Sequence, residues 1–93
     1  MLLLPVTLTL REARDALRLL KMSLEREAEP LLVVDGSQLE RFDSSALAVL
    51  LECRRLADAW GKRFELHGLP PKLLELARLY GVDELFATHA TPA

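Results

Sequence analysis

Cysteine, long apolar stretches and surplus positive charge are all scarce in this chain, and each scarcity excludes a class of protein. Cys53 is the only cysteine among 93 residues, so no internal disulfide or CxxC site can form. The longest apolar run, Ala46–Leu51, falls far short of the roughly 20 residues that cross a membrane. A net charge of −2, from 12 basic and 14 acidic side chains, is unsuited to nucleic-acid binding.

The length and composition indicate what kind of domain to expect. A chain of 93 residues suits one domain over residues 1–93, with a core that needs no metal or disulfide. The first residues carry no basic leader region, and cysteine stands alone, so we expect a cytoplasmic protein without direct membrane insertion. Leucine still accounts for 23 residues, and mean hydropathy is +0.15. We therefore expect some apolar surface to be kept for a partner or for a homodimer.

Apolar spacing and capping residues predict an alternation of strands and helices. We predict strands over residues 1–8, 31–34 and 64–67. The helices begin after Thr9, at residues 43–45 and at residues 69–71, and the first of them ends at Pro30. One more turn over residues 82–86 and a frayed tail follow the third helix. The order βαβαβα predicts a small α/β fold with a short, mostly parallel sheet and about three helices.

Two segments dominate the predicted core. In the first helix, Thr9 and Glu12 form a capping box, and apolar residues follow on one face: Leu10, Ala13, Leu17, Leu20, Leu24 and Ala28. Residues 31–34 are apolar without interruption, which is typical of a central parallel strand covered on both faces. Leu39 and Phe42 then anchor a polar loop.

Residues that could do chemistry are few and scattered. His67 and His89 have no ligand partners at metal spacing, and no glycine-rich phosphate loop is present. Cys53 lies on the apolar face of the second helix, where a buried and inert thiol is expected. A hydrolase that uses Ser44 would need a base that the sequence does not offer. We expect a protein that is not an enzyme and that binds no cofactor or metal.

The most informative stretch lies between residues 31 and 51. A hydrophobic strand leads into Asp35-Gly36-Ser37, and Phe42-Asp43-Ser44-Ser45-Ala46-Leu47 opens the second helix. This pattern resembles the STAS domain family, in which D-x-S is followed by D-[ST]-[SAG]-G-L. Ala46 stands where the family has glycine, so the backbone there is less open to close approach.

Three further segments resemble the MlaB-like branch of that family: residues 47–51, 69–73 and 76–82. The resemblance implies a non-catalytic subunit of the Mla phospholipid ABC transporter, which moves lipid between the inner and outer membranes. It implies an MlaF-like ATPase subunit as the partner, and through that subunit the membrane permease. The other branch, the anti-sigma-factor antagonists, carries a serine that a kinase phosphorylates at the position of Ser44. The resemblance therefore makes Ser44 either an ATPase contact or a phosphosite.

Spacing on the second helix suggests where a partner docks. Ser44, Ala48, Leu51 and Arg55 fall on one stripe, which has the mixed character of an interface. We expect this stripe, with Asp43 and the loop from Leu39 to Phe42, to bind the partner. Two simpler interpretations remain open, namely that residues 43–45 only cap the helix and that Leu51 belongs to the core.

Overall fold

Residues 2–82 are described by the structure, a computed structural model, and they form five short strands and three helices. In chain order these are β1 (Leu2–Leu3), β2 (Thr7–Leu8), α1 (Leu10–Arg26), β3 (Leu31–Asp35), β4 (Arg41–Phe42), α2 (Ser44–Ala59), β5 (Arg63–His67) and α3 (Pro71–Leu79). The α/β class and the three helices are confirmed. The predicted turn over residues 82–86 and the tail lie outside the described residues, apart from Val82.

The main sheet has three parallel strands in the order β1-β3-β5, so β3 is central as predicted. Its inward face is formed by Leu32, Val34, Phe64 and Leu66, which are all buried against the helices. Leu31 and Val33 point to the opposite face and are only half-buried. The expectation that β3 is covered on both faces is therefore wrong for the outward face.

The N-terminal segment is divided between two sheets. Its first part, β1, pairs with the end of β3, whereas β2 pairs in parallel with β4 in a separate two-stranded sheet. Pro5 lies between the two parts and has no amide to donate to a sheet, which explains why the predicted single strand is interrupted. The sequence did not predict β4, which lies in the segment expected to be a loop.

Helix α1 begins as predicted but buries a different set of residues. The capping box is present, and the Glu12 carboxylate accepts hydrogen bonds from the Thr9 amide (2.8 Å) and the Thr9 hydroxyl. The fully buried residues are Ala16, Leu20 and Leu24, with Ala13 and Leu17 packed beside them.

Two residues of the predicted apolar face of α1 lie outside the core. Leu10 is 75% exposed, because at 100° per residue it points about 80° away from Leu20. Ala28 is exposed, because the helix ends at Arg26 and the chain turns extended at Glu27, before Pro30 is reached.

Helix α2 supplies most of the core and follows the prediction closely. It runs from Ser44 to Ala59 and ends in Trp60-Gly61, where Gly61 has a φ of 71°. Its buried residues are Ala46, Leu47, Val49, Leu50, Cys53, Leu56 and Ala57. None of the helices between residues 2 and 82 has the length and apolar character needed to cross a membrane.

Candidate functional site

The N-termini of α1 and α2 meet at one carboxylate, that of Asp43. Its Oδ1 accepts a hydrogen bond from the Ser45 amide (2.8 Å), which caps α2. Its Oδ2 accepts a hydrogen bond from the Leu10 amide (3.1 Å), the first residue of α1. The Ser45 amide, and to a lesser degree the Leu10 amide, lower the pKa of Asp43 because they stabilise its charged form. Asp43 thus joins two helices, and we call this pair of bonds the Asp43 clamp.

Ser44 lies directly beside the clamp and is exposed. The cap of α2 is Asp43, and the Ser44 hydroxyl has no hydrogen-bond partner within residues 2–82. Helix capping therefore explains the presence of Asp43 at this position but not that of Ser44. A serine at the first position of a helix, with a free hydroxyl, can present that hydroxyl to another molecule.

The rest of the predicted stripe lies on the surface of α2, with one exception. Ala48 and Arg55 are exposed, whereas Leu51 is half-buried and packs against the core. Arg55 donates two hydrogen bonds to the Glu52 carboxylate, at 2.9 Å and 2.6 Å. These bonds lower the pKa of Glu52, and the charge of Lys21 on α1 adds to the effect. Ser44, Ala48 and Arg55 are therefore accessible, and Leu51 is shared between core and surface.

The loop that was expected to accompany the stripe contributes less than predicted. Leu39 is only 4% exposed and belongs to the core, so its side chain cannot contact a partner. Phe42 is half-buried in β4 and packs against the same core. Arg41 is the exposed side chain of β4. The burial of Leu39 confirms the prediction that this residue anchors the loop, and it contradicts the expectation that Leu39 helps to dock a partner.

A groove beside Ser44 was not expected from the sequence. It has a volume of about 400 Å³ and runs between α1 and α2; its lining residues are Leu10, Ala13, Arg14, Leu17, Ser45, Ala48 and Val49. Reasoning from the sequence placed Leu10 in the core and Arg14 on the solvated face. Their position in the first two turns of α1 is the signal that could have identified Leu10 and Arg14, because side chains at a helix end are covered by fewer neighbouring elements.

The other half of the family motif, Asp35-Gly36-Ser37, forms a structural corner. The Asp35 carboxylate accepts a hydrogen bond from the Ser37 amide (2.8 Å), which lowers the pKa of Asp35. The Gly36 amide donates to the His67 carbonyl (2.8 Å), and this bond joins the ends of β3 and β5. A side chain at Gly68, which has a φ of 67°, would lie 3.1 Å from the Asp35 carboxylate. A side chain at Gly36 would lie 2.8 Å from Leu69, so these contacts account for Asp35 and Gly36 without a ligand.

Groups that could do catalytic or metal chemistry are not assembled in the described part of the chain. Within residues 2–82 no cluster of histidine, cysteine and carboxylate side chains could hold a metal ion. His67 contacts Glu65 at 2.9 Å on the exposed side of β5, and His89 lies outside the described residues. Burial raises the pKa of the Cys53 thiol to about 12, so the thiol stays protonated and unreactive near neutral pH.

The sequence matches a known protein family. A family model described as Mlab, STAS domain, covers residues 5–87, which is most of the chain. The matched range includes every strand and helix from β2 onward, with Asp43 and Ser44 inside it. No curated protein matches the sequence.

Proposed function

Since the chain belongs to the STAS domain family, of the MlaB type, we propose that it is a non-catalytic subunit of a phospholipid ABC transporter of the Mla type. In this role it binds the cytoplasmic ATPase subunit and stabilises it, and it reaches the inner membrane only through that subunit and the permease. Its binding surface is centred on Ser44 and includes Ala48, Arg55 and the exposed edge of Leu51.

The observation that carries this proposal is the free hydroxyl of Ser44. Asp43 already caps the helix, so Ser44 is not needed there for stability. The small, exposed Ala48 lies one turn further along α2 and lets a partner approach the helix closely. The ion pair between Arg55 and Glu52, further along the same helix, would then lie at the polar rim of the contact.

The surroundings of Ser44 favour binding over catalysis. A nucleophilic serine needs a general base within hydrogen-bond reach. Asp43, its neighbour in sequence, is occupied by two backbone amides, and its lowered pKa makes it a weak base. The thiol of Cys53 is buried and protonated.

The test is co-purification of the chain with the Mla-type ATPase subunit of the same organism after co-expression. We expect Ser44→Arg to weaken the complex by about tenfold or more, because a bulky charge would occupy the centre of the contact. Ser23→Arg is the matched control, since Ser23 is also exposed on a helix but lies on α1 away from the site. Equal recovery of ATPase with both variants would contradict the proposal.

An anti-sigma-factor antagonist is the second candidate, because the same free hydroxyl could accept a phosphate. The N-terminus of α2 would favour the added charge of about −1.5 to −2, whereas the adjacent Asp43 carboxylate would repel it. A pull-down from native cytoplasm and membranes, with mass spectrometry of the bound proteins, distinguishes the two functions. An ABC ATPase with its permease supports the transporter role; a kinase, with phosphate on Ser44, supports the antagonist.

A further inference from the structure

Resting on the proposed function, we infer that the ATPase-binding surface extends from Ser44 onto α1. The groove between α1 and α2 receives an apolar side chain of the ATPase, and Arg14 pairs with a carboxylate beside that side chain. The surface is therefore composite, with Leu10 and Arg14 on α1 facing Ser45 and Ala48 on α2.

The apolar part of the groove is accessible and large enough for an anchoring side chain. Leu10 is 75% exposed at its edge, one of the most exposed large apolar residues in residues 2–82. Ala13, Leu17 and Val49 form its floor and are already packed on or in the core. A volume of about 400 Å³ is within the range of sites that bury bulky groups. Burial of one apolar anchor in such a pocket is what concentrates binding energy in protein interfaces.

The charge of the groove determines the chemistry of its occupant. Arg14 is its only charged lining residue, and it makes no ion pair or hydrogen bond within residues 2–82. Two other arginines of α1 and α2 are paired: Arg18 with Asp15 at 2.6 Å, and Arg55 with Glu52. A free guanidinium at the rim of an apolar groove favours a partner carboxylate and disfavours a cation.

The Asp43 clamp connects the groove to Ser44. The same carboxylate that holds the Ser45 amide also holds the Leu10 amide, so the two helix ends form one corner. Leu10 is therefore fixed beside Ser44 before a partner arrives, which reduces the entropy that binding must overcome. In this arrangement Asp43 positions the contact residues and need not contact the ATPase itself.

Helix α1 offers matched control residues that line a different groove. This second groove has a volume of about 390 Å³ and is lined by apolar residues that include Leu19 and by Arg11, Glu12 and Asp15. Leu19 is 64% exposed, similar to Leu10, and Arg11 is an exposed arginine near the same end of the helix as Arg14. Substitutions at Leu19 and Arg11 thus change the same residue types outside the proposed surface.

The experiment measures the Kd of the purified chain for the purified ATPase subunit, with the melting temperature of each variant as a check on folding. We expect Leu10→Ala to weaken binding about tenfold and Arg14→Gln about fivefold, while Leu19→Ala and Arg11→Gln stay within about twofold. Arg14→Gln also reduces the dependence of the Kd on salt, since it removes the charged contact.

The outcomes separate this inference from the proposed function. If Ser44→Arg abolishes binding but Leu10→Ala and Arg14→Gln bind like the wild type, the groove is not part of the interface and the inference is wrong. If the wild type fails to bind the ATPase, or Ser44→Arg binds normally, the proposed function is wrong as well. If the control variants weaken binding as much as the groove variants, the inference is again overturned, because the effect is then not local.

Discussion

Replacing Asp43 with alanine removes both hydrogen bonds of the clamp, and the cost can be worked out from the two contacts. Loss of the N-cap bond to Ser45 costs about 1 kcal/mol of folding free energy. Loss of the longer bond to Leu10, which is exposed, costs about another 1 kcal/mol. For a chain of this size, about 2 kcal/mol lowers the melting temperature by about 10 °C.

The Asp43→Asn variant separates the contribution of the hydrogen bond to Leu10 from that of the helix cap. Asparagine is as good an N-cap as aspartate, but it has a single oxygen and can satisfy one amide instead of two. We expect it to cost about 1 kcal/mol, half the effect of alanine, with the loss assigned to the bond between the helices. Thermal and urea unfolding measure the stability, and amide hydrogen exchange reports the Leu10 and Ser45 amides directly. Asp58→Asn, at an exposed position near the end of α2, is the control.

The pH dependence gives an independent check with a defined sign. The folded-state pKa of Asp43 lies below its ordinary value of 3.8, so its stabilising effect is fully present only at pH values well above 3.8. The part of that effect that needs a second acceptor oxygen is lost as the pH falls through the folded-state pKa, because a protonated carboxyl, like asparagine, keeps a single carbonyl acceptor. The stability difference between wild type and Asp43→Asn should therefore shrink on acidification. A constant difference, or equal Leu10 exchange in both proteins at pH 7, would refute the clamp.

Two further predictions concern the corner at the end of the sheet and the single thiol. Gly68→Ala should lower stability by about 2 kcal/mol, more than Gly61→Ala, since both have positive φ but only Gly68 would place its Cβ near Asp35. Equal unfolding curves for the two glycine variants would contradict this. Because the pKa of Cys53 is about 12 and the thiol is buried, a thiol reagent at pH 8 should modify the native protein only as fast as it unfolds. Rapid labelling of the native protein would show that the thiol is accessible.

Local signals in the sequence were enough to predict the main elements of the fold. Thr9 and Glu12 identified the start of α1, and the residues around Asp43 identified the start of α2, because capping depends on neighbours three residues apart or fewer. The apolar run of residues 31–34 identified the central strand. Strand β4 escaped prediction because two residues carry no periodicity, and their pairing with β2 depends on the arrangement of the whole domain.

The candidate site was predicted only in part, because local spacing can be read from the sequence whereas contacts between distant residues cannot. Helical spacing placed Ser44 and Ala48 on one stripe of α2, and both residues are exposed in the structure. It could not place Leu10 beside them, since the clamp joins residues 33 positions apart in sequence. The anchoring of the loop by Leu39 was predicted, because a single apolar residue in a polar loop indicates a contact with the core. Whether these residues bind an ATPase stays a prediction.

The parallel pairing of every strand has a consequence for how the chain folds. Paired strands such as β1 with β3 and β3 with β5 lie about 30 residues apart in sequence, with a helix between them. Within residues 2–82 no strand pairs with the next in a hairpin, so each strand pairing closes a loop of about 30 residues. Folding should therefore be slower than that of a helical bundle of equal length. On the ribosome, β5 follows α2 and the buried residues of α3 come later still, so the leucine-rich core of the nascent chain stays incomplete at least until Ala77 has been synthesised.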